Sequence, residues 1–219
     1  MKEIKDIKVT IKAATTIDGK IATEFGHSKW ISGRVARYKA HQLRNENDAI
    51  LVGINTVLLD DPELSVRGIE KGRSPVRIVL DSKARIPKKS RMFKNDGVPV
   101  IIITGNQAPS REWPDLETLK IIEAPTERPE IMWVLSELKK LGLKSLLVEG
   151  GSLIHASFFK SNCADQVALF IAPIMFGGQS ALSWCGDLKV ENVDDAIELD
   201  IISITPLGKD WFISAKVKK

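Results

Sequence analysis

The sequence predicts an α/β fold: a mostly parallel central sheet, flanking helices and an antiparallel hairpin at the C-terminal end. Short β-branched apolar runs alternate with helical patterns through most of the chain, the order that builds parallel sheets. Runs such as Ala49–Val52 (AILV) and Val100–Thr104 (VIIIT) are apolar without alternation, as strands buried on both faces are. The last two runs, Ile197–Thr205 and Trp211–Val217, are joined through Pro206-Leu207-Gly208 and read as a hairpin.

Each element has a local reason. Ile7–Ala14 (IKVTIKAA) alternates apolar and polar residues and makes the first strand. TTIDGK turns the chain at Asp18-Gly19. Ser32 caps a helix from Gly33 to about Asn45, with Ala36, Ala40 and Leu43 on its apolar side. Ala49–Val52 ends in the GINT turn, where Asn55 or Thr56 caps a short helical turn closed by Asp60-Asp61-Pro62. Val76–Leu80 (VRIVL) and Val100–Thr104 are strands. Glu130–Leu141 has helical spacing and stops at Gly142. Ser145–Val148 is a strand that runs through Gly150-Gly151 into a helix from Ser152 to Phe159, and Val167–Ala172 is the strand before the hairpin. Lys71–Pro75 and Gly105–Pro114 are loops, because the strands on either side look equally buried, so a single domain over residues 1–219 is expected.

Composition narrows the function. A chain of 219 residues buries ~70% of its unfolded surface and needs no disulfide or metal to hold a core. Lys+Arg 32 against Asp+Glu 28 leaves +4, which suits small anionic ligands and does not demand nucleic acid. Cys163 and Cys185 lack metal-ligand spacing and read as free thiols; no metal site is expected. The opening MKEIKDIKV has no apolar signal-peptide core. The longest nearly apolar stretch, Val167–Met175, falls far short of the ~20 residues of a membrane span. The expected setting is the cytoplasm.

Three clusters carry chemistry. In KSLLVEGGSLIHASFF a buried strand meets two glycines and a helix start, a geometry whose backbone amides cradle anions, or else simply a tight turn. Neither GxGxxG nor GxxxxGK[ST] is present. Glu149 stands at the carboxyl end of that strand, where open α/β sheets place ligand contacts. In DAILVGINTVLLDDPELSVR a threonine hydroxyl and a carboxylate face the same sheet edge, and paired acids before proline can equally be an ordinary turn. Arg34, Arg37, His41 and Arg44 line one helix face; a solvated charged face is the commoner meaning of such a stripe, and His41 reads as a helix-surface histidine. Trp30 packs as core or staple, or flanks a ligand ring.

VTIKAATTIDGKIA, HSKWISG, HQLRNENDAILVGINTVLLDDPELSVR, PVRIVLDSKARIP, LLVEGG and IAPIMFGG, in this order, resemble the reductases of riboflavin biosynthesis. The resemblance runs from about residue 8 to residue 178. It implies a dihydrofolate-reductase-like fold, a homodimer, and NADPH as hydride donor, with NADH possible. It implies NADPH contacts from Ala14, Trp30, Thr56, Asp60, Ser82, Lys83, Ala84, Arg85, Gly150, Gly151, Ser152 and Leu153. Substrate contacts are implied for Ser28, Arg44, Leu64, Arg67 and Glu149, with Lys20 nearby. Arg44 and Arg67 suit a 5′-phosphate, and Lys83 or Arg85 a cofactor 2′-phosphate. Family members usually have Gly or Pro after the glycine pair, where this chain has Ser152-Leu153.

The zinc-deaminase signature of the bifunctional members has no match. The implied reaction turns a ribosylamino group into a ribitylamino group. The substrate is 2,5-diamino-6-ribosylamino-4(3H)-pyrimidinone 5′-phosphate in the archaeal type and the deaminated 5-amino uracil analogue in the bacterial type. Lys20, Asp60 and Glu149 are the motif residues with proton chemistry for it. Other readings are a dihydrofolate- or dihydropteridine-type reductase, whose substrate carries no phosphate, and a non-enzymatic module using the basic face for nucleic acid. The family reading expects no nucleic-acid partner and no membrane.

Overall fold

A computed structural model describes residues 7–218, so most of the signal-peptide reading of the first nine residues lies outside the described residues. The described residues divide into two compact units, one of residues 7–8 and 41–150 and the other of 9–40 and 151–218. Nine strands occur among the described residues: β1 (Lys8–Thr16), β2 (Ala49–Gly53), β3 (Val76–Leu80), β4 (Val100–Thr104), β5 (Leu119–Glu123), β6 (Ser145–Val148), β7 (Gln166–Ala172), β8 (Leu199–Leu207) and β9 (Asp210–Val217). Four α-helices accompany them: α1 (Arg34–Glu46), α2 (Ile54–Asp60), α3 (Ile131–Lys140) and α4 (Ser152–Lys160).

The first unit orders its strands β5-β4-β3-β2-β6, and every pairing is parallel. Ile50, Leu51, Val52, Ile78, Val79, Ile102, Ile103, Leu147 and Val148 are fully buried, which is why these strands read as unbroken aliphatic runs. Their core continues into Val57, Leu64, Ile86 and Met92. β5 escaped the sequence reading. Its LKIIE has three half-buried and two exposed positions and no fully buried one, and among the described residues it pairs with β4 alone, so it lacks the aliphatic signature of its neighbours. Arg77, inside β3, is fully buried. Its guanidinium donates to both Asp96 oxygens at 3.0 and 2.6 Å and to the Met92 carbonyl at 3.1 Å. That pairing holds the Asp96 carboxyl down at about 2, the Arg77 hydrogen bonds being the largest cause.

The second unit orders its strands β1-β7-β9-β8; β1 and β7 are parallel, and β7–β9 and β9–β8 are antiparallel. The expected hairpin is present, but its turn is Gly208-Lys209, and Pro206 and Leu207 belong to β8. Proline is compatible with a strand at a sheet edge. The predicted Ser32 cap of α1 is replaced by a distant one: the Gly33 amide donates to Asp210 Oδ2 at 2.6 Å, while the Ser32 carbonyl accepts from Arg37 at 2.6 Å. Asp210 is 1% exposed, so a buried carboxylate occupies the position the local serine was expected to fill. Neither Cys163 nor Cys185 is in a disulfide, as expected.

Candidate active site

In the first unit four of the residues with expected substrate contacts, Arg44, Leu64, Arg67 and Glu149, gather around the end of β6 and the segment after α2. Arg44, near the end of α1, donates from Nε to Glu149 Oε1 at 2.7 Å and from NH2 to Oε2 at 2.9 Å. The side chains are 16% and 8% exposed. Burial alone would lower the Arg44 pKa; the Glu149 charge and hydrogen bonds outweigh it and hold the guanidinium above its ordinary value. The third guanidinium nitrogen donates to the Ser65 carbonyl at 3.1 Å. Leu64 is buried and turns the chain with φ 52°. Arg67 is exposed, and its backbone amide donates to His41 Nδ1 at 3.3 Å. Burial first, then the Arg44 and Arg67 charges, lower the His41 pKa, against a smaller opposite pull from Glu149 and the Ser65 carbonyl. The basic stripe on α1 is therefore not a uniformly solvated face: His41 and Arg44 are engaged with the chain opposite them.

Thr56 and Asp60 sit on α2, half-buried. Of the paired acids, Asp61 is a structural staple. It closes the helix with φ 40°, and its Oδ1 accepts from the Ser90 hydroxyl at 2.8 Å and the Arg91 amide at 2.9 Å. The loop after β3 is tied by the buried Asp81, whose carbonyl accepts from Ala84 at 3.0 Å and whose Oδ2 accepts from Ile86 at 2.8 Å. Ala84 is buried with φ 50°. This knot leaves Ser82 half-buried and Lys83 and Arg85 exposed, with Arg85 donating to Asn55 Oδ1 at 3.0 Å. Gly150 is required by packing: a Cβ there would stand 2.7 Å from the Gly53 nitrogen and 2.9 Å from Val52 Cα. The first glycine of the pair thus serves backbone approach to β2.

The second unit carries the remaining residues. Ala14 is half-buried in β1. Lys20 donates from Nζ to the Ala181 carbonyl at 3.0 Å. Its neighbour Asp18 accepts from the Gly177 and Phe176 amides at 2.8 and 3.3 Å, and its carboxyl is lowered chiefly by the Thr16 hydroxyl. Ser28 is half-buried. Trp30 is 74% exposed rather than core, and the Arg37 guanidinium lies 4.8 Å from its ring centre in a cation–π contact. Gly151 precedes α4 with no side-chain cap on that helix, and Ser152 and exposed Leu153 form its first turn. Trp211, in β9, is 49% exposed.

Sequence reasoning missed His41, Ser65 and Asn55 as partners of the site residues. The only available signal was the three-residue spacing of His41 and Arg44 on one helix face. Among the described residues no group of His, Cys, Asp and Glu is placed to hold a metal ion. No helix among them is long and apolar enough to cross a membrane.

Residues 7–213 match the family model described as RibD C-terminal domain. A relative from Methanothermobacter thermautotrophicus, the 2,5-diamino-6-ribosylamino-4(3H)-pyrimidinone 5′-phosphate reductase, is 38% identical over 213 residues, covering 96% of this chain and 98% of that protein. The riboflavin biosynthesis protein RibD of Bacillus amyloliquefaciens is 37% identical over 209 residues, but the match covers 94% of this chain and only 56% of that longer protein. Among solved structures, the Thermotoga maritima diaminohydroxyphosphoribosylaminopyrimidine deaminase/5-amino-6-(5-phosphoribosylamino)uracil reductase superposes with TM-score 0.82 at 30% identity, covering 97% of this chain and 57% of that one. A dihydrofolate reductase from Enterococcus faecalis, 11% identical, superposes with TM-score 0.54 over 97% of each chain, which bears out the expected fold. The chain belongs to the RibD C-terminal domain family.

Proposed function

We propose that this chain reduces the ribosylamino group of 2,5-diamino-6-ribosylamino-4(3H)-pyrimidinone 5′-phosphate to the ribitylamino product, as a single reductase domain in the cytoplasm. One observation carries the choice of site: Glu149, fixed through both oxygens by Arg44, stands with the segment that ends in exposed Arg67. A carboxylate has about four acceptor sites, and Glu149 is proposed to accept from a pyrimidine amino group while Arg67 supplies a cation for the phosphate. The archaeal relative, matched over nearly its whole length, is named for this activity.

Each unit carries residues with the chemistry for one part of a dinucleotide cofactor. In the second unit the start of α4, which has no side-chain cap, is proposed to offer backbone amides to a pyrophosphate, and in the first unit exposed Lys83 and Arg85 are proposed to offer charge to a 2′-phosphate. This is the basis for proposing NADPH over NADH. When bound, the nicotinamide supplies the hydride. Lys20, Asp60 and Glu149 remain the groups proposed to handle protons, and Ala14, Trp30, Thr56 and Leu64 to shape the pockets. A homodimer is proposed on the exposed β8, where Ile201, Ile202 and Ile204 are each more than half exposed. Phe170, in β7, is buried and forms no part of that patch.

The deaminated 5-amino uracil substrate is the second reading, since the Thermotoga relative is named for it. A fixed acceptor at Glu149 favours an amino group over a carbonyl. Turnover of NADPH with the two substrates side by side tests the assignment: faster reduction of the diamino compound supports it, and faster reduction of the uracil reverses it. Equal loss of affinity for both substrates in Arg67→Ala supports the phosphate assignment, and an unchanged KM removes it.

A further inference from the structure

We infer that His41 is a positioning residue for substrate binding: with its neutral Nδ1 accepting from the Arg67 amide, it clamps the segment that presents the Arg67 guanidinium. The clamp has two jaws, both on α1. Arg44 holds the Ser65 carbonyl at 3.1 Å, and His41, one turn earlier, holds the Arg67 amide at 3.3 Å. They bracket a stretch already pinned at Leu64, which is buried with φ 52°. Arg67 itself is exposed, so its backbone is what fixes the origin of its side chain.

The chemistry demands one protonation state. Nδ1 can accept only while it is unprotonated, which puts the ring proton on Nε2. Protonation would set an N–H against the Arg67 N–H. It would also add a third positive charge beside Arg44 on its own helix and Arg67 opposite, against a smaller opposite pull from Glu149 at the end of β6 and from the Ser65 backbone. Burial and those two cations keep the ring neutral below the usual histidine range of 6.5. The clamp therefore holds at neutral pH and opens only in more acid solution.

This inference rests on the proposed phosphate role of Arg67, and its test separates the two. His41→Leu removes the acceptor at similar volume, and His41→Asn keeps an acceptor oxygen without a titrating ring. At pH 7.5 His41→Leu should raise KM for the diamino substrate about three- to tenfold with kcat little changed, as loss of one hydrogen bond predicts. His41→Asn should restore most of it. As pH falls, the His41→Leu to wild-type KM ratio should shrink towards 1. The ratio cancels the substrate phosphate's own titration near pH ~6. A KM equal to wild type in His41→Leu, no rescue by asparagine, or a ratio that does not change with pH overturns the clamp.

Nitrogen-15 NMR of the unmodified protein decides the same point without variants or substrate. A proton on Nε2 and a bare, hydrogen-bonded Nδ1 in His41 support the clamp, and a proton on Nδ1 refutes it. If the wild-type chain reduces neither pyrimidine, the proposed function fails while the NMR result still judges the clamp.

Discussion

Two bidentate arginine–carboxylate pairs in the same unit serve different ends, Arg77 gripping end-on through both terminal nitrogens and Arg44 side-on through Nε and one terminal nitrogen. Arg77 lies inside β3, fully buried, and spends its guanidinium on Asp96 and the Met92 carbonyl. Arg44 lies on α1 and spends its guanidinium on Glu149 and the Ser65 carbonyl. In the first pair the arginine is the interior group, and the 28%-exposed Asp96 reaches in to neutralise it. In the second the 8%-exposed carboxylate is the more enclosed partner, and it stands at the carboxyl end of a parallel strand. A buried pair is weak evidence for stability, because desolvation offsets the attraction. What separates the two is position: one ties a strand to a loop, and the other fixes an acceptor where α/β sheets present ligand groups.

The sharpest way to break this comparison is to delete each arginine. Arg77→Ala and Arg44→Ala should each cost about 3 kcal/mol in urea unfolding, since each strands or empties a buried ionic site. Only Arg44→Ala should also lower kcat/KM of the folded enzyme, because it releases Glu149. Equal activity losses in the two variants would erase the distinction.

The acid limb of stability gives a second, smaller contrast. Asp96 is held at about 2, below its ordinary 3.8. A depressed carboxyl contributes stability above the unfolded pKa and loses it as pH falls through the folded one. Stability should therefore hold down to pH ~4 and drop between ~4 and ~2, by ~1–2 kcal/mol after allowing for solvent screening of a partly exposed group. Asp96→Asn should flatten that limb in pH-dependent unfolding; an unchanged limb would assign it elsewhere.

The smallest effect concerns the second unit. Asp210→Ala removes the carboxylate at the start of α1 and should cost about 1 kcal/mol, the usual worth of a helix cap. Thermal unfolding of Asp210→Asn, which keeps an acceptor oxygen, should show most of that recovered. If Asp210→Ala melts with the wild type, Gly33 finds another acceptor.

The aliphatic strands were legible in the sequence because a parallel strand covered on both faces has one composition. β3 and β4 fall where the sequence placed them, at Val76–Leu80 and Val100–Thr104. Long-range polar partnerships were not legible. Glu149 and Arg44 are 105 residues apart, and Gly33 and Asp210 are 177 apart, so no local pattern links either pair. The serine before α1 misled for the same reason: a local cap was visible and the distant one was not. Of the readings open for Trp30, its 74% exposure removes the core one, and the Arg37 guanidinium lies over its ring. The paired acids at 60–61 were readable as a turn, and Asp61 is one, but only the Ser90 and Arg91 contacts show which acid of the two does that work.

The central claim is that Arg44 holds Glu149 as a fixed acceptor that selects an amino group over a carbonyl. The most direct measurement is kcat/KM for the diamino substrate and its deaminated analogue, in wild type and Glu149→Gln. Wild type should favour the diamino compound by about one to two decades, the cost of opposing acceptors in a buried contact. Glu149→Gln should narrow that ratio while lowering activity on the diamino compound. A ratio that Glu149→Gln leaves untouched would contradict the claim.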